Sequence, residues 1–252
     1  MASRQFLLVK KVFLAFAAAV MAIAPISVSA QGISLLRDAE IEAWLEDYTR
    51  PLLRVAGVTP SSIEILIVND QSFNAFAGGR YIGVNTGLFT FAETPNEIEG
   101  VLAHEAAHLA ANHSTRRAEA MANAGRPMIL GLLLGAAAIA AGSPEAGIGL
   151  LGLGQNVAIA DYLVYSRSNE STADQLSITY LDRLGKSTQG AMAIWSRMRN
   201  YQIITGYRVN PYLQTHPLAN ERLQALQTRA MESPYFEKTD SPEEIARLNL
   251  IK

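Results

Sequence analysis

Two periods of apolar residues run along this chain, and together they predict a mainly helical domain with a small sheet. Residues 35–56 have apolar side chains at helical spacing, with Ser34 as a candidate N-cap and Pro51 as the residue that bends or ends the helix. Residues 63–68 and 80–85 are rich in apolar and β-branched side chains and predict strands. The pattern therefore predicts an α+β fold in which helices dominate.

Residues 94–97 have the composition of a helix start. Thr94 suits the N-cap, Pro95 fits the first helical position, and Glu97 stands where a capping box places its glutamate. Apolar residues follow at helical spacing, so we predict a helix that includes residues 98–108. Further helices are predicted over residues 162–184, 187–199 and 220–232, and after the capping residue Ser241.

The least ordinary part of the chain is an apolar hairpin at residues 128–160. Residues 128–142 and 146–160 contain no charged side chain, and the Ser-Pro-Glu sequence between them predicts a turn. Each arm is shorter than the roughly 20 residues of a membrane-spanning helix, and the many glycines suit closely packed helices. Three alternatives follow: the hairpin packs on the domain, forms a lid over a cleft, or contacts a membrane.

The first 30 residues have the three parts of a signal peptide. Basic residues precede an apolar run at residues 12–24, and the small-residue sequence Val-Ser-Ala ends the segment at Ala30. The apolar run is too short to span a membrane. We therefore expect export, cleavage after Ala30, and one domain over residues 31–252.

Composition narrows the class of partner. Removing residues 1–30 takes away three of the 21 basic side chains and none of the 23 acidic ones, so the formal charge falls from −2 to −5. Such a balance does not favour nucleic acid. The chain contains no cysteine, which excludes structural disulfides and a cysteine-linked lipid anchor.

The strongest chemical signal is the H-E-x-x-H sequence of His104, Glu105 and His108. On a helix, side chains four residues apart lie on one face, so both imidazoles can bind one metal ion. Glu105 lies beside that ion and suits a general base that takes a proton from an activated water. Two ligands and a base make up most of a hydrolytic zinc site.

A third ligand must come from elsewhere, and the spacing separates the alternatives. Metzincins have a glycine and a histidine where this chain has Ala111 and Ser114. We expect His113 to be a polar residue near the helix end that points away from the metal. Glu170 and Asp174 are four residues apart on a predicted helix, so Glu170 is the candidate third ligand. Asp174 is then placed to accept the remaining ring N–H of a ligand histidine.

A third motif, T-H-P-x-x-x-x-R, contains His216 before a proline at a predicted loop-to-helix junction. Taken with the two earlier motifs, it resembles the HtpX and CAAX prenyl protease group of gluzincin zinc metallopeptidases. Within that group the chain is most similar to the periplasmic, BepA-like branch. The resemblance covers roughly residues 34–229 and includes Asn74 in the sequence F-N-A-F-A.

The resemblance implies a zincin-like metallopeptidase domain whose small sheet lies beside the active-site helix. One zinc ion per chain would be bound by His104, His108 and Glu170, with Glu105 as catalytic base. His216 would lie close to the metal, where it either assists the transition state or occupies the open coordination position.

Two further residues receive roles from the same resemblance. Asn74 would contact the substrate backbone, and Arg222 would be a structural partner or a substrate contact. Asn74 lies between the two predicted strands. A free strand edge there would bind an extended peptide, whereas a closed hairpin would leave no such edge.

The implied function is an exported zinc metalloendopeptidase in quality control of misfolded envelope or outer-membrane proteins. The implied location is the periplasm, with peripheral membrane contact through residues 128–160. The alternative is a non-hydrolytic chaperone or holdase for outer-membrane proteins with a structural zinc. The BepA-like branch commonly continues into tetratricopeptide repeats, and we expect none here because no period of about 34 residues is visible.

Overall fold

Eight α-helices and four short strands form the part of the chain that the structure describes, residues 34–204 and 216–252 of a computed structural model. The predicted signal peptide, residues 1–30, lies outside these ranges. The elements in chain order are β1 (Leu35–Leu36), α1 (Ala39–Val55), β2 (Glu64–Val68), β3 (Ala75–Gly78), β4 (Tyr81–Asn85), α2 (Thr86–Phe91), α3 (Pro95–Ala110), α4 (His113–Ala140), α5 (Pro144–Arg183), α6 (Gln189–Ile204), α7 (Asn220–Met231) and α8 (Pro242–Ile251).

The predicted α+β class with dominant helices is confirmed, although the first helix begins later than expected. Its N-cap is Asp38 rather than Ser34, and the Asp38 carboxylate accepts hydrogen bonds from two backbone N–H groups of the first turn. Pro51 lies inside α1 and does not end it.

The sheet has the strand order β1-β2-β4-β3. Strands β2 and β4, both predicted, pair in parallel, and β3 pairs with β4 in the antiparallel direction. Strand β3 was not predicted, because four residues containing two alanines and a glycine have little β-propensity. It is the outermost strand of the described sheet on that side, so a free edge exists there.

Helix α3 runs through the middle of the domain, and all its residues from Pro95 to His108 are buried. Two features let α6 approach it closely. Gly100 leaves room for Ala191, since a Cβ at position 100 would lie 2.7 Å from the Ala191 Cα. The Asn96 side chain accepts a hydrogen bond from Gly190 N–H at 2.7 Å and donates one to the Ser187 carbonyl at 2.9 Å. The helix with the H-E-x-x-H sequence is therefore held from several sides.

The start of α3 follows the predicted cap only in part. The Thr94 hydroxyl accepts a hydrogen bond from Glu97 N–H, as an N-cap does. The Glu97 carboxylate, however, accepts from Glu93 N–H and pairs with Arg197 at 2.6 Å instead of returning to Thr94. An ion pair to α6 has taken the place of the second capping bond.

The apolar hairpin, residues 128–160, consists of the second half of α4 and the first part of α5, and the turn between them contains Gly142 with a φ of +91°. Within the described residues the arms pack on each other rather than on the domain, which corrects the first of the three alternatives. The contact is a glycine seam of Gly131, Gly135, Gly147 and Gly154. A Cβ at Gly154 would lie 2.9 Å from the Gly131 Cα, so larger residues would force the helices apart.

Candidate metal centre

Three elements bring four candidate metal ligands together. His104 and His108 come from α3, Glu170 comes from α5, and His216 comes from the segment before α7. All four side chains are buried, and their ligand atoms lie within 4.8 Å of one another. We call these four residues the metal group.

The spacing within the metal group fits a zinc ion. The His104 and His108 Nε2 atoms are 3.0 Å apart, and the two Glu170 carboxylate oxygens each lie 3.4 Å from one of these nitrogens. A tetrahedral zinc with ligands at about 2.0–2.1 Å separates its ligand atoms by about 3.3 Å. Imidazole and carboxylate are also the donors that zinc prefers outside cysteine sites.

Charge balance also favours a divalent cation. Three buried carboxylates, from Glu105, Glu170 and Asp174, meet one buried guanidinium, that of Arg222. These groups carry a formal charge of −2. Burial alone would raise the pKa of Glu170, but His104 and His216 beside it hold that pKa below its ordinary value. The site is therefore built to keep Glu170 ionised.

The ring of His104 is oriented from behind by Asp174. The His104 Nδ1 atom lies 3.1 Å from Asp174 Oδ1, at ion-pair distance. Burial lowers the pKa of His104, but the carboxylates of Asp174 and Glu170 more than reverse this and raise it to about 9. Asp174 thus lies on the side of the ring that faces away from the metal group.

Arg222 lies behind the carboxylates rather than on the open side. Its guanidinium donates to both Asp174 oxygens at 2.7 and 2.8 Å and to the Pro217 carbonyl at 2.8 Å, and it pairs with Glu170 at 3.0 Å. The side chain is buried. Its donors therefore face protein groups, which is the arrangement expected of a structural partner.

His113 departs from its prediction. Helix α3 ends at Ala110, and Asn112 adopts a left-handed conformation with a φ of +53°, so His113 begins a new helix and turns back. The His113 and His108 Nδ1 atoms are 2.9 Å apart. Since His108 Nε2 faces the metal group, its Nδ1 is the hydrogen-bond donor and His113 the acceptor. Burial lowers the pKa of both rings and favours these neutral forms.

A cleft of about 190 Å³ opens beside the metal group. It is lined on one side by Phe76 and Ala77 of β3 and on the other by residues of α4 and α5. One of these, Tyr165, has a buried hydroxyl with no hydrogen-bond partner among the described residues, and no sequence motif singles it out. Asn74 lies just before β3 and outside the cleft lining, and its backbone carbonyl accepts from Asn85 N–H.

A larger surface cavity of about 470 Å³ lies elsewhere, lined by residues of β1, α1 and β2. It contains none of the predicted site residues and is lined largely by charged and polar side chains. The largest of these cavities is therefore not the candidate site, and it is the imidazole and carboxylate donors of the metal group that identify the site.

Comparison with known proteins also points to a peptidase. The model of Peptidase family M48 matches residues 39–230. The putative beta-barrel assembly-enhancing protease of Vibrio cholerae is 28% identical over 202 residues, 79% of this chain and 41% of that protein. The Escherichia coli K12 beta-barrel assembly-enhancing protease is 25% identical over 198 residues, covering 78% and 40%. Metalloprotease YcaL of the same strain is 31% identical over 172 residues, covering 68% and 63%. The chain thus spans about two fifths of the length of the assembly-enhancing proteases.

Proposed function

Because this chain belongs to peptidase family M48, we propose that it is an exported zinc metalloendopeptidase that cleaves unfolded or misfolded proteins of the cell envelope. The observation that carries the proposal is the metal group, with Glu105 on the same helix as two of its members. Two relatives are named for enhancing β-barrel assembly, and this supports outer-membrane proteins as substrates and the periplasm as the location.

The residues divide the chemistry between them. His104, His108 and Glu170 would hold zinc, which supplies a Lewis acid and an activated water when it is bound. Glu105 takes the proton of the attacking water and passes it to the leaving amine. The edge of β3 lines the cleft, so an extended substrate segment can pair with it through backbone hydrogen bonds. Asn74, immediately before β3, would contact that backbone.

His216 has two roles that its position supports. Its Nδ1 lies 3.1 Å from both Glu170 oxygens, and its Nε2 lies 3.7 Å from Glu105 Oε1. As a fourth ligand it would close the site, whereas as a hydrogen-bond donor it would stabilise the oxyanion of the transition state. The substitution His216→Ala separates the two roles. Higher basal proteolysis identifies a plug, and lower proteolysis at unchanged zinc content identifies a catalytic donor.

The proposal is tested by following cleavage of casein by residues 31–252, with zinc content measured in parallel. The matched control is Glu105→Gln, which keeps the side-chain shape but removes the base. We expect turnover by the parent protein, none by Glu105→Gln, and about one zinc per chain in both. Equal turnover by the two proteins would refute the role of Glu105.

One observation favours a second function, that of a holdase for unfolded outer-membrane proteins. The apolar hairpin exposes many large side chains, and such a surface can hold unfolded segments. A holdase has no need of Glu105. Suppression of the aggregation of a denatured test protein, at full strength in Glu105→Gln and without any cleavage by the parent, would favour this alternative.

A further inference from the structure

The apolar hairpin exposes large side chains on every face except the one that the glycine seam occupies. On α4 six of them are 48–63% exposed: Met128, Ile129, Leu130, Leu132, Leu133 and Leu134. Neighbouring residues of a helix point about 100° apart, so these six side chains spread over about 240° of the circumference, and Gly131 and Gly135 occupy the rest. On α5, Ile148 and Leu153 are likewise exposed. A protein partner that covered one face would leave the other faces in water.

The inside of the hairpin is built from its smallest residues. The glycine seam brings the two backbones close together, and the Gly131 and Gly154 positions leave no room for side chains. In water, burial of large apolar groups drives helices together, and those groups would be expected between the helices. Small residues inside and large apolar residues outside are instead the arrangement of helix pairs in lipid.

Length and flanking residues fit a bilayer. From Arg126 to its last residue, Ala140, α4 rises about 21 Å at 1.5 Å per residue, enough to reach about two thirds of the way through the roughly 30 Å hydrocarbon core. Both α4 and α5 are long and apolar enough to cross a membrane. Beyond the hairpin, Arg117 stacks over the Tyr162 ring at 5.8 Å, and a basic and an aromatic side chain of this kind suit the interface. Glu145 is the single charge at the tip.

We propose that the apolar hairpin inserts into a lipid bilayer and fixes the peptidase domain at the membrane surface. The occupant of its outer surface is hydrocarbon. Glu170 lies on the same helix, about 14 Å along its axis from Asp161 at the base of the hairpin. The cleft is therefore held close to the headgroups. This inference rests on the proposed function. A cleft held near the headgroups favours substrates whose unfolded segments emerge at the membrane.

Flotation with vesicles of phosphatidylethanolamine and phosphatidylglycerol tests the insertion. The protein is residues 31–252 with Glu105→Gln, which contains the entire hydrophobic core and cannot digest itself. We expect it to float with the vesicles. The triple variant Leu130→Gln, Leu133→Gln, Leu134→Gln should bind at least about a hundredfold more weakly, because three exposed leucines no longer enter lipid. These side chains are exposed, so the fold should be unaffected, and a circular dichroism melt checks this.

The matched control places the same change at three exposed apolar residues outside the hairpin, Ile204, Met231 and Leu250. It should float like the parent protein. A parent that stays in the aqueous fraction, or a control that loses binding as strongly as the hairpin variant, would overturn the proposal. So would self-association in the absence of lipid that only the hairpin variant abolishes, because the occupant would then be a second copy.

The depth of insertion has a separate readout. Because the chain lacks cysteine, Ser143→Cys and the distant surface variant Thr239→Cys can each be labelled with one environment-sensitive dye. Vesicles should protect the Ser143→Cys dye from an aqueous quencher and leave the Thr239→Cys dye accessible. Equal accessibility of the two dyes would refute insertion. Casein cleavage in solution needs no vesicles, so a failure of the peptidase proposal would be seen independently.

Discussion

Arg222 allows a sharp test of how the site is held together. Its guanidinium makes two buried hydrogen bonds to Asp174, a part-buried one to the Pro217 carbonyl and an ion pair with the buried Glu170, all at 2.7–3.0 Å. In Arg222→Met a side chain of similar length keeps the packing but leaves two buried carboxylates without their cation. Breaking one side of a buried ion pair typically costs about 3–5 kcal/mol. We expect a loss of that size in the free energy of unfolding.

The assay is equilibrium unfolding in urea of the chelator-treated protein, followed by circular dichroism. Arg229→Met is the matched control on the same helix, because Arg229 is more than a third exposed and lies 3.6 and 3.8 Å from its carboxylate partners. Exposed pairs contribute under about 1 kcal/mol, so this variant should unfold almost like the parent. In a double-mutant cycle, Asp174→Asn should lower the free energy of unfolding by less in the Arg222→Met background than in the parent protein.

Two outcomes would refute the reasoning. A loss below about 1 kcal/mol for Arg222→Met would mean that the guanidinium does not compensate the buried carboxylates. Additive costs in the cycle would mean that Arg222 and Asp174 do not act as a pair. If the loss is as large as expected, zinc should restore part of it, because the cation then supplies the missing positive charge.

Three further predictions concern His113, Glu99 and Gly154, none of which belongs to the metal group. In His113→Phe the hydrogen bond to His108 Nδ1 is lost, so zinc affinity, measured in competition with a chromophoric chelator, should fall about 10–100-fold. In His113→Gln, which keeps an acceptor, zinc affinity should fall less. Equal affinities for all three proteins would contradict the role assigned to His113. Burial raises the pKa of Glu99 from its ordinary 4.5 to about 7, although Lys186 lies 3.6 Å away. Between these pH values the unfolded chain ionises at Glu99 while the folded chain stays protonated. The free energy of unfolding of the parent should therefore fall relative to Glu99→Gln by up to about 3 kcal/mol as pH rises from about 4.5 to 7, and a constant difference between the two urea titrations would refute this. In Gly154→Val the new side chain would collide with the Pro127 carbonyl and Gly131, so trypsin should cut the hairpin faster at Arg126. The control is Gly149→Ala, where a Cβ meets nothing within 4 Å, and trypsin should cut it at the parental rate. Equal digestion rates for all three proteins would argue against the glycine seam.

The sequence predicted the parts of the fold that depend on short-range signals. Gly185, with a φ of +63°, follows α5 close to the predicted end, and Ser241 is the N-cap of α8 as predicted, where it forms a capping box with Glu244. Strands β2 and β4 were visible because apolar residues cluster in them. Strand β3 was not, because its place in the sheet depends on pairing with β4 rather than on its own composition.

Within the site, sequence spacing selected His104, His108 and Glu170, and the family resemblance added His216. It did not predict the position of His113, because that position depends on a single backbone conformation at Asn112. Asparagine tolerates the left-handed region better than most residues, so Asn112 was the signal available. The burial of Arg222 could not be read from the sequence either, since it depends on how α7 packs against α5.

The apolar hairpin shows another limit of sequence reasoning. Its lack of charge was plain, yet composition alone could not tell whether the large side chains face inward or outward. The register of the two arms decides this, because it places Gly131 against Gly154 and turns the leucines outward. That register follows from close packing between positions far apart in sequence.

The central claim is that the metal group binds zinc, and X-ray absorption at the zinc edge tests it most directly. We predict about one zinc per chain in residues 31–252, with imidazole nitrogen and carboxylate oxygen ligands at about 2.0–2.2 Å, and a large loss of zinc in Glu170→Ala. The matched control is Glu221→Ala, an exposed glutamate on α7, which should retain zinc fully. Full zinc retention by Glu170→Ala, or a spectrum without imidazole ligands, would contradict the account.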